Sequence, residues 1–500
     1  MRGKKMAINT MFSFVQEFIS IVCSFILPRL ILSVFGSRFN GLITSITQFL
    51  SCAVLLRSGL GGATRAALYK PLANQDSNAI SAIVNATERY MRRIGILLAA
   101  LIFVFAGIYP FLVQTDFDWF FSFSLVLIIG ASTFAESFFG ITYLIVLQAD
   151  QKLWVTSLLS SICSILNTVI ASILMLAGAS IHMVKLGSAF VFVMYPIVIG
   201  LYVRKKYSID RTVPPNNSAI SQRWDAFWHQ VSFFVMNNTG VMVLTIFSNL
   251  AEVSVYGIYN MVFRGLKRIV MAFSGSQEAA YGNMIAKNQI KELRENVGIM
   301  ETLMFGISTI IYSCAVVLVL DFVQIYTLNI HDIDYYRPFF AYVMIVAQLF
   351  NGFRLPYQTV VQAAGHYKQT KIGAIIEPIL NIVVSVIFVF KYGLIGVAIG
   401  ACIATIFRTI QYSFHMSKTI INRNWSVSLL KILISFGEMA VILLIMKVLP
   451  ILAPVNYAQW IVKAVISFFI SASVVCITSC ILFRNEFFLI IKKIKMIFIK

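Results

Sequence analysis

Residues 94–113 read IGILLAALIFVFAGIYPFLV and contain no charged side chain. A helix needs about 20 mostly apolar residues to cross the hydrocarbon core of a bilayer, so these residues predict a transmembrane helix. Arg89, Arg92 and Arg93 stand shortly before them. Basic residues gather at the cytoplasmic ends of transmembrane helices, and this arginine group therefore predicts which end of the helix lies inside the cell.

The same pattern recurs along the whole chain of 500 residues. Hydrophobic residues make up 59% and charged residues 12%, whereas a soluble domain carries about 25% charge. Long apolar runs predict about fourteen transmembrane helices, at roughly residues 7–34, 39–63, 94–114, 118–147, 153–178, 184–203, 224–248, 252–278, 297–320, 337–361, 370–390, 393–415, 429–449 and 458–483. These runs are too long for the strands of a membrane barrel. The sequence therefore predicts an all-α, polytopic membrane protein.

The net charge of +20, from 40 Lys and Arg against 20 Asp and Glu, would suggest nucleic-acid binding in a soluble protein. With fourteen helices and the N-terminus inside, 27 of the basic residues fall on inner segments and 5 on outer loops. This bias follows the positive-inside rule. It predicts cytoplasmic N- and C-termini, and it explains the charge without a nucleic-acid partner.

Short matches at offsets of 216 and 214 residues suggest an internal repeat. Asn40-Gly41-Leu42 has a counterpart in Tyr256-Gly257-Ile258, and Leu166-Asn167 has one in Leu380-Asn381. Two six-helix repeats in the same orientation are expected to enclose a central cavity. The predicted segments are an N-terminal lobe, a cytoplasmic linker, a C-terminal lobe, two additional transmembrane helices and a basic amphipathic tail, at residues 1–203, 204–223, 224–415, 416–484 and 485–500.

Several loose motifs accompany this arrangement. The first hairpin carries Pro28-Arg29 and, at residues 55–63, LLRSGLGGA; the inner loop Gln148-Ala149-Asp150-Gln151-Lys152 has a counterpart from Gln362 to Lys368. In these features and in its helix order, the chain over roughly residues 5–415 resembles the multidrug/oligosaccharidyl-lipid/polysaccharide (MOP) exporter superfamily. Within it, the chain is most similar to the Wzx-type oligosaccharide-lipid flippases.

The resemblance implies a flippase that moves undecaprenyl-pyrophosphate-linked oligosaccharide from the inner to the outer leaflet of the bacterial cytoplasmic membrane by alternating access. The product would serve a surface polysaccharide such as capsule, O-antigen or exopolysaccharide. Basic residues that bind the pyrophosphate are implied. No cofactor is expected, and because the sequence holds no ATP-binding P-loop, the expected driving force is an H⁺ or Na⁺ gradient, the membrane potential or the substrate gradient itself. The partners implied are membrane lipids and the polymerase and glycosyltransferases of the same pathway.

Charged residues inside the predicted spans are the main functional candidates, because a charge at a helix centre costs about 2.5–3.5 kcal/mol on insertion scales. The candidates for pyrophosphate binding are Arg29, Arg57, Arg264, Lys267 and Arg268. Arg264 and Arg268 share a helical face, and arginine stays charged and binds phosphate oxygens bidentately. The alternative for Arg264 is a structural ion pair, for instance with Glu17. For Arg29 and Arg268 it is extension of the side chain to the membrane interface.

Acidic and amide side chains form a second set. The candidates for ion coupling or for lining the cavity, with structural pairing as the alternative, are Glu17, Glu136 and Glu377. The candidates for sugar contacts are Asn167, Asn237, Asn238 and Asn381. Asparagine more often joins helices by hydrogen bonds, so this role has a structural alternative too. Arg354 and Arg408 lie near the inner ends of their spans, where we expect them to extend to the inner interface.

No enzyme is expected, because the sequence holds no P-loop, HExxH or GxSxG motif. The five His and seven Cys lack metal-ligand spacing, so no metal site is expected either. An ion-coupled multidrug exporter of the same superfamily is the main alternative, although a cavity rich in arginine would repel cationic drugs. A membrane-bound polymerase or ligase would be expected to carry a larger outer loop than residues 321–336. A pure scaffold leaves Arg264 unexplained.

Overall fold

A computed structural model describes residues 2–52, 55, 60–113, 117–207, 209–216, 227–273, 277–450 and 453–498. All regular secondary structure in these residues is helical, which confirms the predicted all-α class. The chain forms two compact units, Met1–Val255 and Tyr256–Lys500.

The first unit contains α1 to α9 and the beginning of α10. Their bounds are Arg2–Phe35 (α1), Ser37–Leu50 (α2), Leu60–Asn74 (α3), Ser77–Leu112 (α4), Trp119–Ala135 (α5), Ile141–Ala149 (α6), Leu153–Leu176 (α7), Ile181–Tyr207 (α8), Phe227–Phe247 (α9) and Leu250–Ala272 (α10). One turn of π-helix, Glu136–Gly140, joins α5 to α6. Helix α4 begins at an N-cap, Asp76, whose carboxylate accepts a hydrogen bond from the backbone N–H of Ala79 at 2.9 Å.

The second unit contains the rest of α10 and eight further helices. Their bounds are Glu278–Ala286 (α11), Ile290–Tyr326 (α12), Pro338–Ala363 (α13), Tyr367–Tyr392 (α14), Leu394–His415 (α15), Ser426–Val448 (α16), Tyr457–Leu482 (α17) and Arg484–Phe498 (α18). Gly393 alone separates α14 from α15, and its φ of 53° is left-handed. Glycine adopts this conformation without a steric penalty, so the chain reverses there in a single residue.

Eleven helices within the described residues are long and apolar enough to cross a membrane. They expose large apolar side chains such as Phe103 and Leu176, as expected for surfaces that face lipid. The chain is therefore a multi-pass membrane protein. Three other spans are predicted, at residues 39–63, 224–248 and 252–278. The first overlaps α2 and the first residues of α3, the second overlaps α9, and the third overlaps α10. The total of fourteen spans stays a prediction.

Hydroxyl groups and a glycine allow close helix packing in the first unit. Tyr109 of α4 and Thr245 of α9 both lie within hydrogen-bonding distance, 2.9 Å, of Ser45 Oγ on α2. A Cβ at Gly41 of α2 would lie 1.7 Å from the carbonyl oxygen of Leu250. Small residues permit this kind of approach between membrane helices, so Gly41 is required where α2 meets the start of α10.

Buried ion pairs join α16 and α18 to α12. Glu301 of α12 is fully buried and accepts hydrogen bonds from Arg423 at 2.5 and 2.7 Å. Lys431 of α16 lies 3.5 Å from Glu301 and 2.9 Å from Glu486 of α18. Buried charges are tolerated when they are paired, so this network holds α16 and the start of the tail on α12, and Lys463 of α17 pairs separately with Asp321 of α12 at 2.6 Å.

The division between the two units falls inside α10, after Val255, and the predicted lobe boundaries at residues 203 and 224 stay predictions. Of the predicted linker, residues 204–207 form the end of α8, and residues 209–216 lie on α4. Asn85 Nδ2 of α4 donates to the carbonyl oxygens of Asp210 and Val213, both at 2.9 Å. Residues 209–216 are therefore held by hydrogen bonds along the N-terminal part of α4.

Candidate functional site

The first unit contains a cavity of about 230 Å³ among its membrane-spanning helices. It lies between α5, the π turn, α7 and α8, and its lining residues are Ser132, Thr133, Glu136, Ser160, Cys163, Phe192 and Tyr195. A cavity of this volume with several polar groups has room for more than one water molecule. Polar space at membrane depth is unusual, because unsatisfied polar groups there are costly.

The π turn and a close helix contact place Glu136 in the wall of this cavity. Gly140, at the end of the turn, packs against α8, and a Cβ at this position would lie 2.4 Å from Pro196 Cβ. Tyr195, the residue before Pro196, is thereby brought to the same cavity. Single π turns in α-helices are frequent at functional sites, and here the turn carries the predicted residue Glu136.

The electrostatic character of the cavity follows from its walls. The described lining residues offer hydroxyl groups, one thiol and the Glu136 carboxylate, and they include no basic side chain. Helix α1 is attached to one wall, because Gln16 Nε2 donates to Ser160 Oγ at 3.3 Å. Glu17 follows on α1 and is half-buried. The cavity therefore suits a proton or a small cation better than an anion.

The third predicted carboxylate, Glu377, lies in a different environment in the second unit. Arg354 Nη1 of α13 donates to Glu377 Oε1 at 2.7 Å, and Arg408 Nε of α15 lies 3.5 Å from Glu377 Oε2. Glu377 itself is buried on α14. Two guanidinium groups from neighbouring helices thus neutralise one carboxylate inside the membrane-spanning part of the protein.

The Arg408 guanidinium makes several hydrogen bonds and packs against an aromatic ring. Its guanidinium donates to the Thr370 carbonyl oxygen at 3.0 Å and to the Tyr412 hydroxyl at 2.7 Å, contacts Gln411, and lies 4.0 Å from the centre of the Tyr412 ring. Only 4% of its surface is exposed. The prediction that Arg408 and Arg354 extend to the inner interface is wrong, because both side chains turn inward to Glu377.

Helix α10 brings further positive charge to this group. Lys267 is half-buried and within electrostatic range of Arg354 and Glu377. Arg264 and Arg268 are exposed on the same helix, three residues before and one residue after Lys267. We call Arg354, Glu377 and Arg408 the basic cluster, in which two guanidinium groups contact one carboxylate.

The remaining predicted basic residues lie in the first unit or outside the described residues. Arg29 is half-buried on α1, directly after Pro28. Arg57 lies outside the described residues. The suggested pairing of Arg264 with Glu17 would join the two units and stays a prediction.

The four candidate asparagines have different surroundings. Asn238 Nδ2 donates to the Phe234 carbonyl oxygen of its own helix at 2.6 Å, and Asn237 beside it is half-buried. Asn381 is buried and accepts from Ser385 Oγ at 3.3 Å. Asn167 is buried, and its Oδ1 accepts no hydrogen bond within the described part of the chain. Asn167, Asn237 and Asn238 belong to the first unit and Asn381 to the second, and the role of the four residues in sugar binding stays a prediction.

Two features of the candidate site are not predicted from the sequence. Tyr195 is an uncharged residue in an apolar run, so nothing marks it as a cavity residue. The pairing of Arg354 and Arg408 with Glu377 depends on how three helices are oriented about their own axes, and the sequence does not show this orientation. The sequence signal that could have indicated this pairing is the presence of one charged residue at similar depth on each of three consecutive spans.

No protein-family model matches the sequence, and no curated protein matches it significantly. Solved structures do match. The lipid II flippase MurJ, in an inward closed conformation, has a TM-score of 0.70 at 17% identity, over 95% of this chain and 99% of that one. An inward-facing multidrug resistance MATE transporter of the MOP superfamily has a TM-score of 0.62 at 12% identity, over 81% and 98%.

A MOP superfamily transporter from Pyrococcus furiosus, whose reversed pocket polarity suggests a different function for it, has a TM-score of 0.54 at 12% identity, over 83% of this chain and 95% of that one. At such identities the likeness concerns the fold. It confirms, at that level, the resemblance indicated by the sequence motifs. This chain has the fold of the MOP-superfamily transporters, shared by the lipid II flippase MurJ and the MATE proteins.

Proposed function

We propose that the protein translocates an undecaprenyl-pyrophosphate-linked oligosaccharide from the inner to the outer leaflet of the bacterial cytoplasmic membrane by alternating access, for surface polysaccharide assembly. The observation that carries this proposal is the gathering of cations in the second unit. Helix α10 carries Arg264, Lys267 and Arg268, and Arg354 and Arg408 meet at Glu377 on neighbouring helices. The likeness to MurJ supports it, because that protein is a lipid II flippase.

The chemistry of the substrate explains the choice of residues. A pyrophosphate carries at least two negative charges, which must be stabilised away from bulk water. Arginine stays ionised in such surroundings and offers paired N–H groups to phosphate oxygens. Arg264 and Arg268, four residues apart on one face of α10, provide two guanidinium groups along the path, with Lys267 beside them. Arg29 and Arg57 complete the proposed set.

Ion coupling is assigned to Glu136 within this proposal. Glu377 is held by two arginines, so a proton or Na⁺ would have to displace a guanidinium there. Glu136 lies among hydroxyl groups, with no basic residue among the described lining residues of the cavity. Carboxylate and hydroxyl oxygens are suitable ligands for a proton or Na⁺. Glu17, on the helix attached to that wall, is the second candidate.

The proposed orientation follows the charge bias of the sequence, with both termini in the cytoplasm. The partners are the lipid-linked glycan, the membrane lipids, and the polymerase and glycosyltransferases that act before and after the transport step.

The test of the proposal is the export of surface polysaccharide by cells that carry Arg264→Ala. A lost charge-assisted hydrogen bond costs about 1.5–3 kcal/mol, and 1.4 kcal/mol corresponds to a factor of about ten, so export should fall at least about tenfold. Polysaccharide is measured per amount of protein in the membrane. Lys291→Ala, exposed at the beginning of α12, is the control and should export normally. Normal export by Arg264→Ala would overturn the proposal.

A multidrug exporter is the second candidate, favoured by the likeness to MATE transporters and by the Glu136 cavity, whose described walls suit a cation. It predicts that Glu136→Gln abolishes resistance to cationic drugs while Arg264→Ala leaves it intact. Drug resistance and polysaccharide export, measured on the same two variants, separate the candidates.

A further inference from the structure

Three arginines meet at one carboxylate in the N-terminal part of α4, the part that the charge bias of the sequence predicts to be cytoplasmic. Arg92 of α4, Arg204 of α8 and Arg211 of the linker lie 2.6, 3.5 and 3.4 Å from Glu88 Oε1. The arginine side chains are 47%, 41% and 55% exposed, and that of Glu88 is 12% exposed. We call these four residues the arginine triad and its carboxylate.

The geometry of the triad is fixed by its neighbours. Arg204 Nε donates to the Tyr143 hydroxyl at 2.7 Å, and its guanidinium lies 5.2 Å from the centre of the Tyr143 ring. The same hydroxyl donates to Glu88 Oε2 at 3.3 Å. Both carboxylate oxygens are therefore occupied. Three guanidiniums share one negative charge, so the triad keeps a net charge of +2.

The linker contributes its arginine through its own attachment to α4. The backbone N–H of Asp210 donates to Ser81 Oγ at 3.1 Å, which places Arg211 beside Glu88. The Asp210 carboxylate accepts from the backbone and the hydroxyl of Thr212, both at 2.8 Å. These hydrogen bonds hold the Asp210 carboxylate within the linker but leave it charged, so with Asp210 included the group still keeps a net charge of +1.

Apolar side chains stand next to the triad on the same helix faces. Ile96 and Phe103, four and eleven residues after Arg92 on α4, share its face and are 65% and 61% exposed. Leu201, three residues before Arg204 on α8, is 62% exposed. A polar head bound by the arginines would therefore have its chains beside a lipid-facing apolar surface.

We propose that the arginine triad binds the phosphate headgroup of an anionic phospholipid of the inner leaflet. Basic pockets between membrane helices on the cytoplasmic side bind anionic headgroups, and guanidinium groups match phosphate oxygens bidentately. The adjoining apolar faces favour a lipid over a free phosphate ion. The bound headgroup would bridge α4, α8 and the linker. This site is independent of the proposed transport and is entirely formed by the first unit.

The test is native mass spectrometry of the delipidated full-length protein titrated with phosphatidylglycerol, with phosphatidylcholine as the neutral reference. The double variant Arg204→Gln/Arg211→Gln should raise the concentration for half-maximal phosphatidylglycerol binding at least about tenfold. Lys287→Gln/Lys291→Gln removes the same charge from exposed inner positions of the second unit and should change it less than about twofold. Equal weakening by both double variants, or by neither, would overturn the proposal.

Two further measurements keep the test decisive. Arg211→Gln alone alters only a half-exposed linker side chain, so it should fold and still weaken phosphatidylglycerol binding about threefold; unchanged binding would contradict the proposal. Inorganic phosphate at millimolar concentration should not displace phosphatidylglycerol. If it does, or if phosphatidylcholine binds equally well, the site is not one for an anionic lipid.

Discussion

Glu136 and Glu377 are the same residue type in membrane-spanning helices, one in each unit, but their surroundings differ. Glu377 is buried and clamped by Arg354 and Arg408. Glu136 lines a cavity of about 230 Å³ whose described walls offer hydroxyl groups and no basic side chain. A carboxylate held by two arginines has its counter-ions built in, whereas the polar lining of a cavity favours exchange of a proton or a cation. In the proposed function this difference gives Glu377 a structural role and Glu136 the coupling role.

The largest effect on stability is expected from Glu377→Gln. Removing one partner of a buried ion pair leaves uncompensated charge and typically costs about 3–5 kcal/mol, here with two arginines left behind. Thermal unfolding of the purified protein measures it, and Glu136→Gln is the control. The double variant Glu377→Gln/Arg354→Met should recover part of the loss. Equal destabilisation by the two single glutamine variants would contradict the difference between the surroundings of Glu377 and those of Glu136.

The two arginines of the basic cluster should differ from each other. Arg408→Met removes hydrogen bonds to Thr370 and Tyr412 as well as the ion pair, so we expect a loss of about 3 kcal/mol or more in unfolding free energy. Arg354→Met removes one hydrogen bond to Glu377 from a more exposed side chain and should cost about half as much. Unfolding midpoints rank the two, and the reverse order would show that the cluster is not anchored by Arg408.

Gly140→Ala, at the contact between the π turn and α8, should have a moderate effect on the unfolding free energy. A Cβ at Gly140 would lie 2.4 Å from Pro196 Cβ, and overpacking of this kind costs about 1–3 kcal/mol. Gly107→Ala is the matched control, because no atom lies within 4 Å of a Cβ there; replacing a helical glycine by alanine at an open position should be neutral or stabilising by up to about 1 kcal/mol. Equal midpoints for the two variants would contradict the close contact of the π turn with α8.

The smallest effect on stability is expected from Glu136→Gln. An amide can still hydrogen-bond in a polar cavity, so the unfolding free energy should change by less than about 1 kcal/mol. Transport should nevertheless lose its dependence on pH or on Na⁺, because the amide cannot exchange a proton or balance a cation. An unchanged dependence, measured across pH with and without Na⁺, would remove Glu136 from coupling.

The sequence predicts the fold well and the site only in part, for physical reasons. Apolar runs such as residues 94–113 report the span directly, because the length of a membrane helix is set by the bilayer. Which side chains pair between helices depends on how each helix is rotated about its axis, and an apolar run does not reveal this rotation. The sequence therefore places Arg408 at the membrane interface, whereas in the structure it lies against Glu377. The π turn at Glu136–Gly140 changes that rotation within one span, and Tyr195 reaches the cavity through the neighbouring contact at Pro196.

The most direct test of the proposed transport is the movement of a fluorescent undecaprenyl-pyrophosphate oligosaccharide between the leaflets of proteoliposomes, followed by a membrane-impermeant quencher. Arg264→Ala should lower the initial rate at least about tenfold at every pH, while Glu136→Gln keeps a measurable rate that no longer responds to pH or Na⁺. A wild-type rate for Arg264→Ala would contradict the assignment of the cations on α10 to the pyrophosphate.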